Sequence, residues 1–140
     1  MTTQYLELRH IVAMQEILIQ KHGGIHGIRD KGLLESAISQ PRQSAFGIDL
    51  FPDIFSKAAA YAYYLSENQP FLDGNKRIAT AAALTFLKLN GLEFEASNDD
   101  LYATIMRLAN KKLSRDELAE WFKAHCPKRK GPPKKKKKKK

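Results

Sequence analysis

Gln69-Pro70-Phe71-Leu72-Asp73-Gly74-Asn75-Lys76-Arg77 decides how the chain is read: an extended Pro-Phe pair runs into an acid, a glycine and a helix that opens with two cations. Gly74 can take backbone angles closed to other residues, which lets successive amide N–H groups converge on an anion, and the first turn of the next helix adds unpaired amides. Asp73 offers hard oxygen atoms to Mg2+, Lys76 and Arg77 offer positive charge to phosphate oxygens, and Asn75 offers a hydrogen bond. An ordinary turn and helix start uses the same residue types, with Asp, Gly and Asn serving turn chemistry and the cations solvated. Spacing alone leaves both readings open, since the loop is not a standard phosphate-loop pattern. On either reading the stretch lacks a proton acceptor suited to activating a hydroxyl near pH 7.

Working outward, Asn75 to Asn90 form a strongly apolar pattern (Ile78, Ala79, Ala81, Ala82, Leu84, Phe86, Leu87) that stops at Gly91, which predicts a buried central helix following the loop. Before the loop, Pro52 suits a first helical turn and Asp53 to Glu67 predict an alanine-rich helix whose Tyr61, Tyr63 and Tyr64 read as core. Residues 42 to 51 fit a short hairpin or flap. Further upstream, residues 3 to about 22 carry Leu6, Ile11, Ile17 and Leu18 at helical spacing up to Gly23-Gly24. Asp30 then caps a short helix through Leu33, Leu34, Ala37 and Ile38, closed by Pro41.

Downstream, Leu92 to Glu95 alternate as a short strand would. Ser97 caps a helix through Leu101, Ile105 and Leu108, and Ser114 with Glu117 makes a capping box for a last helix through Leu118, Trp121 and Phe122. Six helices without a βαβ rhythm or internal repeat place the chain in the all-α class.

The 140 residues, 43% of them hydrophobic, suit one folded domain. No run of 18 apolar residues and no secretory signal pattern occurs, so a soluble cytoplasmic protein is expected. A single cysteine, Cys126, excludes an intramolecular disulfide and is expected to be inert. The net charge of +9 is uneven: residues 128–140 hold ten of the 24 basic residues, leaving 14 basic against 15 acidic in residues 1–127. We therefore expect a near-neutral domain over 1–127 and a disordered Lys-rich tail over 128–140. The tail can touch nucleic acid non-specifically, and equally it can be a solubility extension or an appended sequence.

Pro70-Phe71-Leu72-Asp73-Gly74-Asn75-Lys76-Arg77, followed by the Ala-rich helix to Asn90-Gly91, resembles the Fic/Doc motif, His-Pro-Phe-x-Asp-Gly-Asn and then Gly-Arg or Lys-Arg. Gly23-Gly24, Gly27-Ile28-Arg29-Asp30, Gly32 to Ala37 and Pro41 resemble the death-on-curing (Doc) branch, so the similarity spans about residues 5 to 125. The resemblance implies an all-α fold, a role as toxin of a toxin–antitoxin system, and transfer of a phosphate-containing group from ATP, with Mg2+, to a protein hydroxyl. In the Doc branch this is a kinase reaction on a threonine of elongation factor Tu that stops translation; in the Fic branch it is AMP transfer. Lys76 in place of glycine and Thr80 in place of the second arginine favour the kinase branch.

Carried over by position, Gln69 stands where the family has its general-base histidine, Asp73 at the metal position and Asn75 at the anion-hole position. Lys76 and Arg77 hold nucleotide phosphates, Gly74 completes the loop and Phe71 packs inward to fix it. A glutamine amide has no basic lone pair, so this chain is expected to be inactive or weakened. Thr3 and Glu7 have the spacing of a built-in inhibitory motif, but Leu8 replaces its small or amide residue, so an antitoxin acting in trans is expected. A non-catalytic antitoxin-binding module is the remaining alternative. His10, His22, His26 and His125 lie outside the motif and are read as solvated or capping.

Overall fold

The structure, a computed structural model, describes residues 2–127; the expected Lys-rich tail, 128–140, lies outside the described residues. Within them the chain forms α1 (Leu8–His22), α2 (Lys31–Ser39), a 3-10 turn (Gln40–Arg42), a hairpin of β1 (Ser44–Ala45) and β2 (Ile48–Asp49), α3 (Ile54–Asn68), α4 (Asn75–Leu89), α5 (Asn98–Ala109) and α6 (Arg115–Ala124). The domain is all-α, with six α-helices among the described residues and one small antiparallel sheet.

The core forms where α3 and α4 face each other. Ala58, Ala59, Ala60 and Ala62 on α3 and Ala79, Ala82 and Ala83 on α4 are buried, and small side chains let the two backbones approach closely. Larger residues fill the remaining space: the Tyr61 and Phe86 rings pack tilted at 49° with centroids 5.0 Å apart, and Leu65, Ile78 and Leu87 belong to the same buried cluster. α2 and α6 pack on other sides of α3, and α1 packs on α4. The loop from residue 69 to 74 joins the two buried helices, so its ends are fixed by the core.

Helix ends follow the local chemistry. Asp30, Asp53, Ser97 and Ser114 each accept a backbone N–H from their helix's first turn, and Ser114 and Glu117 form a reciprocal box. Pro52 lies just before the Asp53 cap instead of inside the first turn. The first helix begins at Leu8, not at residue 3. The Asn90 side chain both donates to and accepts from the backbone of Gln4, and the Tyr61 hydroxyl accepts from Leu6 N, so side chains satisfy this arm in an extended form. Thr3 and Glu7 therefore do not share a helix, and Glu7 caps α1 while pairing with Arg42 at 3.0 Å.

Residues 92 to 95 form no strand, against expectation. Leu92 and Phe94 turn inward and Glu93 and Glu95 outward, but the neighbour is the end of α6, where Glu95 N donates to His125 O. Alternating burial is present without a ladder. The 44–49 hairpin does form: Phe46 and Gly47 both have positive φ, as a two-residue turn of this kind requires. Cys126 is buried, and burial pushes its thiol pKa up. No described helix is long and apolar enough to cross a membrane.

Candidate nucleotide site

α3 ends at Gln69, which takes a left-handed conformation (φ 46°, ψ 58°) and turns the chain out of the helix. The freed carbonyls find a cation from far upstream: Arg29 Nη2 donates to Asn68 O at 2.8 Å and Nε to Gln69 O at 2.7 Å. The backbone then runs against residues 27–30. Pro70 O accepts from Arg29 N and Asp30 N, Ile28 bridges Phe71 in antiparallel fashion, and Leu72 N donates to Gly27 O. Phe71 is buried beneath this pairing, as expected, and Leu72 is exposed above it.

Asp73 and Gly74 make the next turn. Gly74 has φ 79° and serves as the N-cap of α4, the conformation for which glycine was singled out. The Asp73 carboxylate lies across the two loops: Oδ1 accepts from Gly74 N at 3.0 Å and Oδ2 from Ile25 N at 3.1 Å. Asn75 grips the preceding turn, its Oδ1 accepting from Phe71 N and its Nδ2 donating to Phe71 O, both at 3.0 Å. This use fixes the loop and leaves one Nδ2 proton and the backbone N–H for an anion.

Asp73, Gly74, Asn75, Lys76 and Arg77 line one groove of about 690 Å³, a size suited to a small-molecule ligand. Leu18 and His22 of α1, Thr80 and Ala81 of α4, and Asn98, Leu101, Tyr102, Ile105 and Met106 of α5 complete it. One end is thus polar and cationic and opens on the first turn of α4, where unpaired amides favour negative charge. The walls from α1 and α5 add the apolar Leu18, Leu101, Ile105 and Met106 beside the polar Asn98 and Tyr102. Lys76 and Arg77 are exposed, and Thr80 turns its hydroxyl back to Lys76 O at 2.8 Å. Gln69 is exposed and is not among the groove-lining residues.

For Mg2+ the chain offers one carboxylate. Among the described residues no three His, Cys, Asp or Glu side chains gather as a metal cage. Each Asp73 oxygen keeps a lone pair beyond the backbone bond it accepts, and Mg2+ characteristically takes one or two carboxylates together with phosphate oxygens and water, so the donor set fits. Of the histidines, His10 accepts from Glu7 N, His26 lies 3.7 Å from Glu16 and His125 contacts Trp121 O, while His22 lines the groove.

Gln15, Arg29, Gly24 and the α5 wall did not figure in the sequence reading of the site. Gln15 carries a visible signal, a polar residue on the Ile11–Leu18 stripe of α1. Arg29 does not, because only the fold brings it to residues 68 and 69.

The sequence profile of the Fic/DOC family matches residues 5–87. The chain is 39% identical over 97 residues to a Mycolicibacterium smegmatis protein named Toxin Doc, a match covering 69% of this chain and 72% of that protein. It is 29% identical over 90 residues to Protein kinase doc of Escherichia phage P1, covering 64% and 71% respectively.

Proposed function

The chain belongs to the Fic/DOC family, and from that premise we propose that it is a Doc-type toxin built for nucleotide-dependent phosphoryl transfer to a protein hydroxyl, a threonine of elongation factor Tu being the target. The observation that carries this reading is the groove in which Asp73, Lys76 and Arg77 meet the first turn of α4, held by a left-handed Gly74. Phosphates bind at the cationic end, through Lys76, Arg77 and the opening amides of α4, and the nucleoside lies toward the α5 wall. Asp73 would hold Mg2+, which when bound neutralises phosphate charge.

In the transfer, the target hydroxyl oxygen forms a bond to the terminal phosphorus, the bond from that phosphorus to the bridging oxygen breaks, and the nucleoside diphosphate leaves. The hydroxyl proton passes to solvent, because the Gln69 amide does not accept it. Positioning and charge stabilisation account for most of such a reaction, so the groove binds nucleotide even where transfer is slow. An antitoxin acting in trans silences the toxin, a reading supported by the likeness to the protein named Toxin Doc.

The test compares this chain with Gln69→His for growth arrest and for transfer of label from γ- and from α-labelled ATP to purified elongation factor Tu. We expect γ-label transfer to rise by about 10²- to 10⁴-fold in the histidine form. Transfer of α-label would instead assign AMP transfer. Absence of both transfer and nucleotide binding would leave an antitoxin-binding module.

A further inference from the structure

We infer that Gln15 is a positioning residue for Asp73, acting through the glycine loop of residues 23–27, which supports the nucleotide site from outside the groove. The inference rests on the nucleotide-site reading above and adds a residue to it. Gln15 lies on the inner face of α1 and is 1% exposed, although a buried amide must satisfy both its donor and its acceptor ends. Its partners are all backbone and come from two loops 48 residues apart: Nε2 donates to Ile25 O at 3.2 Å and to Asp73 O at 3.4 Å, and Oε1 accepts from Gly27 N at 3.2 Å. Ile25, whose carbonyl Gln15 holds, donates its own N–H to Asp73 Oδ2.

A closed circuit results. Gln15 fixes the Asp73 main chain directly and the Asp73 carboxylate through Ile25. Gly24 has the same dependence written into its backbone: at φ 118° an added Cβ would lie 2.7 Å from Asp73 Oδ2, so only glycine lets the loop approach the carboxylate this closely. Groups that orient a metal-binding carboxylate typically contribute about 10- to 100-fold to metal affinity. Lys76 and Arg77, by contrast, receive no contact from Gln15 among its hydrogen bonds.

The circuit therefore separates two properties of one groove. Gln15→Met keeps the side-chain length and removes both polar ends. The experiment titrates the full chain and its Gln15→Met form with ATP, with magnesium chloride and with EDTA, by calorimetry. It also follows amide exchange at Ile25 and Gly27 without nucleotide.

The parent chain is expected to bind ATP more tightly with magnesium. Gln15→Met is expected to lose about tenfold or more of that magnesium-dependent gain, to bind ATP in EDTA within twofold of the parent, and to exchange faster at both amides. Equal losses with and without magnesium would overturn the inference by making Gln15 merely structural, and so would an unchanged magnesium gain. Where Gln15→Met does not fold, Gly24→Ala on the exposed loop displaces the same carboxylate and is held to the same outcomes. A parent chain without any magnesium-dependent binding overturns the nucleotide-site reading and this inference with it; a parent that binds beside a matching variant overturns the inference alone.

Discussion

The two ends of α3 carry two loops that are held in opposite ways. At its C-terminal end, residues 69–74 are gripped by Arg29, Asn75, Gln15 and the backbone of residues 25–30. At its N-terminal end, the 44–49 hairpin has strands of two residues, with Phe46, Ile48 and Leu50 exposed. Its tie to the core is Lys57, 2% exposed on α3, whose Nζ reaches Asp49 Oδ2 at 3.2 Å and Phe51 O. Local stability follows the number of buried, satisfied contacts, so the phosphate end should open only with the whole domain while the hairpin opens on its own. A site that relies on positioning belongs on the first kind of loop.

The middle of α3 sets the reference for both ends. Burial pushes the Tyr61 pKa up from 10.0 to about 12, although the Leu6 backbone bond works the other way. The neutral phenol is thus favoured in the folded state: the stabilisation is fully present below pH 10 and is lost as pH rises to about 12. Two units correspond to at most about 2.7 kcal/mol. Chemical denaturation between pH 9 and 12 should show that decline, and Tyr61→Phe should remove it. Because the phosphate loop opens only with the whole domain, the Leu72 amide should lose protection as this stabilisation fades, while the Leu50 amide, which opens locally, should keep its own. Equal loss at both would mean that the hairpin, too, opens only with the domain.

Lys57→Met cuts the hairpin's tie alone. It leaves the buried Phe51 carbonyl without its donor, a loss of about 2 kcal/mol. Amide exchange should quicken at Leu50, whose N–H bonds Gln43 O, and not at Leu72, whose N–H bonds Gly27 O. Equal quickening at both would erase the contrast.

The sequence made one half of this picture legible. Caps, the Gly74 turn and the inward Phe71 follow from residues within four positions of one another, where local chemistry decides. The circuit through Gln15 and the Arg29 contact join residues about 40 to 58 apart, and nothing in either segment names its partner. Gln15 could have been marked as an odd polar residue on an apolar stripe, without its partners. The alternation at 92–95 suggests a short strand and turns out to be alternating burial without one, because a ladder needs a neighbour that periodicity does not reveal.

The smallest effect gives the sharpest comparison, because the two loops contain matched glycines. Gly74 has φ 79° and Gly47 has φ 77°; an added Cβ at Gly74 would find its nearest neighbours, Ile19 and Ile78, at 3.8 and 3.9 Å, and one at Gly47 would find nothing within 4 Å. Neither alanine would clash, so each substitution introduces the same backbone strain, about 1 kcal/mol. What differs is whether the chain can relax. Gly74 is held by its own N–H to Asp73 Oδ1 and by Ile78 N on its carbonyl, so Gly74→Ala should show the full loss in global unfolding. The turn at Gly47 joins two-residue strands that can part without disturbing the core, so Gly47→Ala should lower global stability by much less and appear instead as faster exchange in the hairpin. Equal global losses would mean that the hairpin is as firmly part of the cooperative unit as the phosphate loop, and the distinction between the two ends of α3 would fail.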